Sequence, residues 1–168
     1  MSLDADLLKL ARRLVRLDKN KPKQSSLRRA VSTAYYSVFH LLVREASRQI
    51  APPAPAGLRD QVARAFDHSA MRQVCAAFSG STPMPKAIQG LLAVPMEPEL
   101  RALAKLFVDL QTQRHDADYN MTAKFTRLQV LALVRGTRRT VRNWKKMGNS
   151  PNRKVFVAAL LLNRLWRA

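Results

Sequence analysis

The sequence is short of most of what a secreted, metal-binding or membrane-spanning protein uses. Cys75 is the only cysteine among 168 residues, which excludes an intramolecular disulfide and a cysteine-built zinc site. The three histidines, His40, His68 and His115, are scattered. Without an HExxH spacing they predict neither a metal centre nor a cofactor. The longest uninterrupted apolar run, Val155 to Leu162, is far below the ~20 residues that a spanning helix needs. The opening MSLDADLLKLARRL is acidic and then amphipathic, unlike the continuous apolar stretch of a signal peptide. No extended segment alternates apolar and polar residues as a strand would. These absences predict a soluble, cytoplasmic, all-α protein with no membrane span.

Acidic residues are the most informative shortage. Lys and Arg number 30 against 11 Asp and Glu, a formal net charge of +19. The last acid is Asp118, and residues 119–168 carry twelve basic side chains and no acidic one. Like charges at that density repel one another unless an anion relieves them. The balance therefore points to RNA or another polyanion as the partner. A hydrophobic content of 47% supports an ordinary core in a chain of single-domain length.

Apolar periodicity lays out the helices. Leu7, Leu10, Leu14 and Leu17 recur at helical spacing after a cap at Ser2 or Asp4, with Arg12, Arg13 and Arg16 largely opposite. Ser25 or Ser26 is expected to cap a long second helix carrying Leu27, Val31, Ala34, Tyr35, Val38, Phe39 and Leu42, which stops before the breaker APPAPAG. Leu58, Val62 and Phe66 suggest a short third helix, and Asp67 a cap for a fourth with Met71, Val74, Cys75 and Phe78. SGSTPMPKAIQGLLAVPMEP reads as an irregular connection holding one helical turn. Beyond it come a stripe of Leu100, Leu103, Ala104, Phe107 and Leu110, then a helix opened by Asn120 or Thr122 and closed at Lys146-Met147-Gly148. A last helix starts at Asn149-Ser150-Pro151. Tyr35, Phe39, Leu103 and Phe107 are the predicted common core.

Two segments carry candidate chemistry. RRAVSTAYYSVFHLL places aromatics and His40 along one helix, where a partly buried structural histidine is the plain reading. LQTQRHDADYN brings Arg114, His115, Asp118 and Tyr119 onto two adjacent helical stripes. A guanidinium, an imidazole, a carboxylate and a phenol so placed can do chemistry. Equally, Arg114 and Asp118 can pair along the helix while Tyr119 packs.

Together these segments resemble the HEPN superfamily. More narrowly, they are similar to small prokaryotic stand-alone members with patterns near R-A-x-S-x-A-Y-Y-x-x-F-H and R-x-x-A-D-Y. Arg29, Ala30, Ser32, Ala34, Tyr35, Tyr36, Phe39 and His40 match the first pattern, and Arg114, Ala117, Asp118 and Tyr119 the second. Asp67-His68 with Phe78 loosely resembles a short histidine-containing helix between them. The resemblance implies a helical bundle over residues 1–131. It also implies a homodimer, or a heterodimer with a nucleotidyltransferase partner, in toxin-antitoxin or defence settings. Active members are metal-independent ribonucleases in which an Arg is followed, four to six residues on, by a His. The Arg holds the scissile phosphate and the His moves protons. Here the corresponding positions after Arg114 are Tyr119, Asn120 and Met121. Tyr119 or His115 is then the proton-transfer candidate, with Asp118 orienting Arg114, in an RNA-associated module whose alternative is a non-catalytic helical protein docking on structured nucleic acid or an acidic protein.

Residues 132–168 form a basic helical extension, expected to pack on the bundle or on a second subunit. RGTRRTVRNWKK sets Arg135, Arg138, Arg139, Arg142, Lys145 and Lys146 in one band with Trp144 nearby. Phosphates meeting arginine and a base stacked on indole suit single-stranded RNA. Alternatively Trp144 belongs to the core and the arginines to a solvated face. The apolar run 155–162 requires burial in the same bundle or against another chain.

Overall fold

A computed structural model describes residues 2–50 and 55–163. Pro52 and Pro53 of the breaker, and Arg164 and Arg167 of the basic tail, lie outside the described residues. Among those described there are eight helices and no strand: α1 (Leu3–Arg16), α2 (Gln24–Ile50), α3 (Ala56–Arg64), α4 (His68–Ser79), α5 (Lys86–Gln89), α6 (Pro98–Tyr119), α7 (Arg127–Lys146) and α8 (Pro151–Leu162). The chain is an all-α bundle built around α2, which touches α1, α3, α6, α7 and α8.

The central place of α2 follows from its composition. Leu27, Ala30, Val31, Ala34, Val38, Leu41 and Leu42 are buried around its circumference, and the alanines let neighbouring helices approach closely. Two of its buried hydroxyls bond within the helix, Thr33 Oγ1 donating to the Arg29 carbonyl at 2.6 Å and Ser37 Oγ to that of Ala34 at 2.7 Å. Tyr35, Leu103 and Phe107 form the expected core, with Tyr35 and Phe107 centroids 5.5 Å apart, and Phe39 packs half-buried at its edge.

Several local signals act as the sequence implies. Asp67 caps α4 by accepting from the Ala70 amide at 2.8 Å, and Ser150 caps α8 by accepting from Arg153 at 3.1 Å. Gly148 follows α7 at φ +74°, in the left-handed region. The long connection after α4 holds one helical turn, α5.

Other expectations are corrected. Ser25 and Ser26 lie inside α2, which begins at Gln24, and α3 ends before Phe66. α7 begins at Arg127, after the candidate caps Asn120 and Thr122, because Thr126 and Gln129 make a reciprocal capping box there. Its inward stripe is Val130, Val134, Thr137, Val141 and Trp144, and Leu128 points outward. The division between residues 131 and 132 falls inside this continuous helix. α8 is buried within the bundle, with Phe156 against Phe78 at 4.9 Å and Trp144 at 5.9 Å. The largest correction concerns α1, which turns Asp4, Ala11 and Val15 inward and leaves Leu10 and Leu17 exposed. Arg44 and Lys145 together neutralise the buried Asp4.

Candidate functional site

The C-terminal end of α6 is positioned by α2. Arg28 of α2 donates to the carbonyls of Ala117 at 2.8 Å, Asn120 at 2.9 Å and Ala123 at 2.7 Å. A cation there answers both the unpaired carbonyls and the negative end of the helix dipole. Four residues before Arg28, at the start of α2, Gln24 exchanges hydrogen bonds with both backbone groups of Phe125. The connection from α6 to α7 is thereby held non-helical.

This clamp presents the four residues of the RHDADY segment unequally. Arg114 Nε lies 2.7 Å from Asp118 Oδ2, and Nη2 donates to the Tyr36 hydroxyl at 3.1 Å. Asp118 is itself anchored, accepting from Ser32 Oγ at 2.5 Å. The guanidinium carbon sits 5.7 Å from the Tyr36 ring and 5.5 Å from the Tyr119 ring. Arg114 is thus paired along its own helix. Burial opposes its charge, but Tyr36, Asp118 and Tyr119 outweigh that and hold its pKa above the usual arginine value. His115 and Tyr119 stand together on the exposed side, with ring centroids 5.2 Å apart.

The imidazole that reaches the Arg114 neighbourhood comes from α4. His68 stacks on Phe39 at 4.2 Å, meets Tyr36 edge-on at 6.2 Å and has Nδ1 2.6 Å from the Tyr35 hydroxyl. Burial pushes the Tyr35 phenol far up, so it keeps its proton. Giving that buried proton an acceptor assigns His68 Nδ1 as acceptor and leaves the ring proton on Nε2. Tyr36 and His68 were not among the predicted site residues; the only signals were the second tyrosine of YYSVFH and the Asp67-His68 pair.

Two of the histidines titrate low. Burial, then Arg114, holds His68 below its ordinary value, and burial does the same for His40. The unfolded chain then binds more protons than the folded one as pH falls through ~6.5, so this stability is present above that pH and lost below it. The thermal midpoint is expected to fall between pH ~7.5 and ~5.5, above the carboxylate range. A His40→Gln/His68→Gln variant should show a flatter profile; an unchanged slope would assign the loss to other groups.

The basic band lies on the outer side of α7. Arg135, Arg138, Arg139, Arg142, Lys145 and Lys146 are exposed. The placement of Trp144 as a base-stacking platform is corrected: it is fully buried, edge-on to Phe156 and with the Arg153 guanidinium 4.3 Å over its ring. The reason is its spacing from Val134, Thr137 and Val141, which puts it on the inward stripe. Across from the band, α1 supplies Lys9 and Arg12. Together with Arg138, Arg142, Lys145 and Lys146 they line a groove of about 480 Å³ floored by Ala5, Leu8 and Val141.

Among the described residues no group of three or more His, Cys, Asp or Glu is placed to hold a metal ion, and no helix is long and apolar enough to cross a membrane. Comparison with protein-family models, curated proteins and solved structures returns no match, so the functional reading rests on this geometry and on the sequence patterns alone.

Proposed function

We propose that the chain binds structured RNA through the cationic face that α7 shares with α1, and that it does so without cleaving it. The observation that carries this reading is the outer side of α7. Its Arg135, Arg138, Arg139 and Arg142 have no carboxylate partner among the described residues, and only Lys145 approaches one, Asp4 at 3.5 Å. RNA is the polyanion favoured by the resemblance of the YYSVFH and RHDADY segments. A structured form is favoured because neither α1 nor α7 exposes an aromatic side chain. Without a stacking platform, recognition reduces to phosphates, which suits duplex shape better than splayed bases.

The chemistry around Arg114 supports binding over cleavage. Asp118 occupies one edge of its guanidinium and would repel an approaching phosphate. His68 has its basic nitrogen engaged by Tyr35, which leaves it unfit to activate a 2′-hydroxyl there. Labelled RNA hairpins and unstructured strands, titrated by anisotropy from 50 to 200 mM salt, test the reading. If six phosphates are neutralised, the hairpin should show a log-log slope of about −5. Tighter binding of the unstructured strand would overturn the structured preference. Cleavage that disappears in Arg114→Ala would overturn the non-cleaving assignment.

A further inference from the structure

We infer that the groove between α1 and α7 receives the 5′-triphosphate end of an RNA, an inference that rests on the RNA-binding reading above. Size is the first argument. The groove encloses about 480 Å³, within the range that holds a single small ligand, roughly 300–1,000 Å³. It takes in one nucleotide with its phosphates but not a double helix. A duplex lying along the outer side of α7 would therefore leave the groove unfilled unless its end entered there.

Charge density selects the kind of end. Lys9 and Arg12 on the α1 wall and Arg138, Arg142, Lys145 and Lys146 on the α7 wall surround this one space, and all six are exposed. The carboxylate that lines it, Asp4, is buried and already neutralised by Arg44 and Lys145. An internal nucleotide brings a single negative charge, too little to balance those walls. A 5′-triphosphate brings roughly four, one on each inner phosphate and nearly two on the outermost, within the reach of one nucleotide. Repulsion among crowded cations is relieved most by the ligand that packs the most charge into the least length.

The floor sets the orientation. Leu8 belongs to the seam that α1 turns toward the bundle, with Asp4, Ala11 and Val15. Together with Ala5 and Val141 it gives the groove an aliphatic base, where a sugar or base face gains from leaving water and a phosphate does not. Ser37, whose hydroxyl proton goes to the Ala34 carbonyl, and Asp4 also line the groove as acceptors, suited to ribose hydroxyls and repellent to phosphate. The terminal nucleoside thus lies on the floor and its triphosphate against the cationic rim. Arg135 and Arg139, outside the groove on the same helix, remain for the phosphates of the duplex that follows.

Three forms of one RNA hairpin, compared by anisotropy, test this: a 5′-hydroxyl form, a 5′-triphosphate form, and a 5′-hydroxyl form lengthened by two base pairs, which spreads a similar extra charge along the duplex. The triphosphate form should bind at least about tenfold tighter than both others, with a log-log salt slope steeper by about two, as three added contacts to a flexible end give. Ala5→Leu fills the floor without altering a charge and should remove most of that preference. Arg12→Ala, at an exposed position, should do the same, whereas Arg139→Ala removes an equal charge outside the groove and should weaken all three forms alike. Equal binding of the triphosphate and lengthened forms would overturn the inference and leave the RNA reading standing; absence of salt-dependent binding by every hairpin would overturn both. A preference that survives Arg12→Ala, or that Arg139→Ala erases equally, would also overturn it. Free ATP is the other source of the same chemistry, and its displacing the triphosphate hairpin at equal concentration would assign the groove to nucleotides instead.

Discussion

Replacing Arg138, Arg139 and Arg142 together by glutamate should lower the affinity for an RNA hairpin by two to three orders of magnitude near 0.1 M salt. Each phosphate contact contributes about 0.9 to the slope of log K against log salt, so losing three of six should bring a slope of about −5 to about −3. The three side chains are exposed on α7, and none bonds to the rest of the described chain. The fold should survive, because exposed substitutions away from packing usually change stability by less than ~0.5 kcal/mol. Replacing three of many like charges also relieves repulsion. Lys105→Glu, on α6 beside Asp109 at 3.2 Å, is the matching control and should leave the slope nearly unchanged. An affinity insensitive to the triple reversal would move the interface off α7. A reduced affinity with an unreduced slope would mean that the arginines act through structure and not through phosphate contact.

Arg28→Ala should be among the most damaging single substitutions outside the hydrophobic core, costing about 3 kcal/mol. Three well-formed bonds run from its guanidinium to the carbonyls of Ala117, Asn120 and Ala123, and hydrogen bonds to a charged group are worth ~1.5–3 kcal/mol each. The sum is reduced because water can reach some of these carbonyls once the side chain is gone. For a chain of this size the thermal midpoint should drop by about 6–12 °C. Arg28→Lys keeps the charge, yet a point ammonium cannot span acceptors on both sides of the chain reversal, so it should recover less than half of the loss. A drop under ~1 kcal/mol for the alanine variant would show that Gln24 and the capping box hold the connection unaided. The same variant should loosen the Asp118 and Tyr119 end of α6, since the clamp lies within one turn of both.

The legible part of this protein was its local part. Asp67 and Ser150 cap helices because an acceptor side chain just before an apolar run satisfies free amides whatever the rest of the chain does. The Leu100 to Leu110 stripe faces inward because a helix has no second apolar face there to offer. The Arg114 and Asp118 contact is equally local, four residues apart on one helix, and it was one of the two readings the sequence left open. A helix opened at Asn120 or Thr122 would take in Phe125, yet α7 begins only after it, because the bonds that keep Phe125 outside come from Gln24, a hundred and one residues away.

By itself, then, the sequence determined the all-α class, most helix positions, the caps and the concentration of positive charge after Asp118. Each of these depends on side-chain periodicity or composition within a few turns. Only the tertiary structure decided which of two seams on α1 turns inward, that Trp144 lies in the core, and that His68 of α4 stands beside Tyr36 and Tyr35 of α2. The two seams of α1 share the same repeat, so periodicity cannot rank them. The choice falls to how closely Ala11 and Val15 let α1 approach α2. In the same way Arg28 reaches Ala117 across eighty-nine residues of chain, a contact that no local pattern encodes, because it exists only once α2 and α6 have packed side by side.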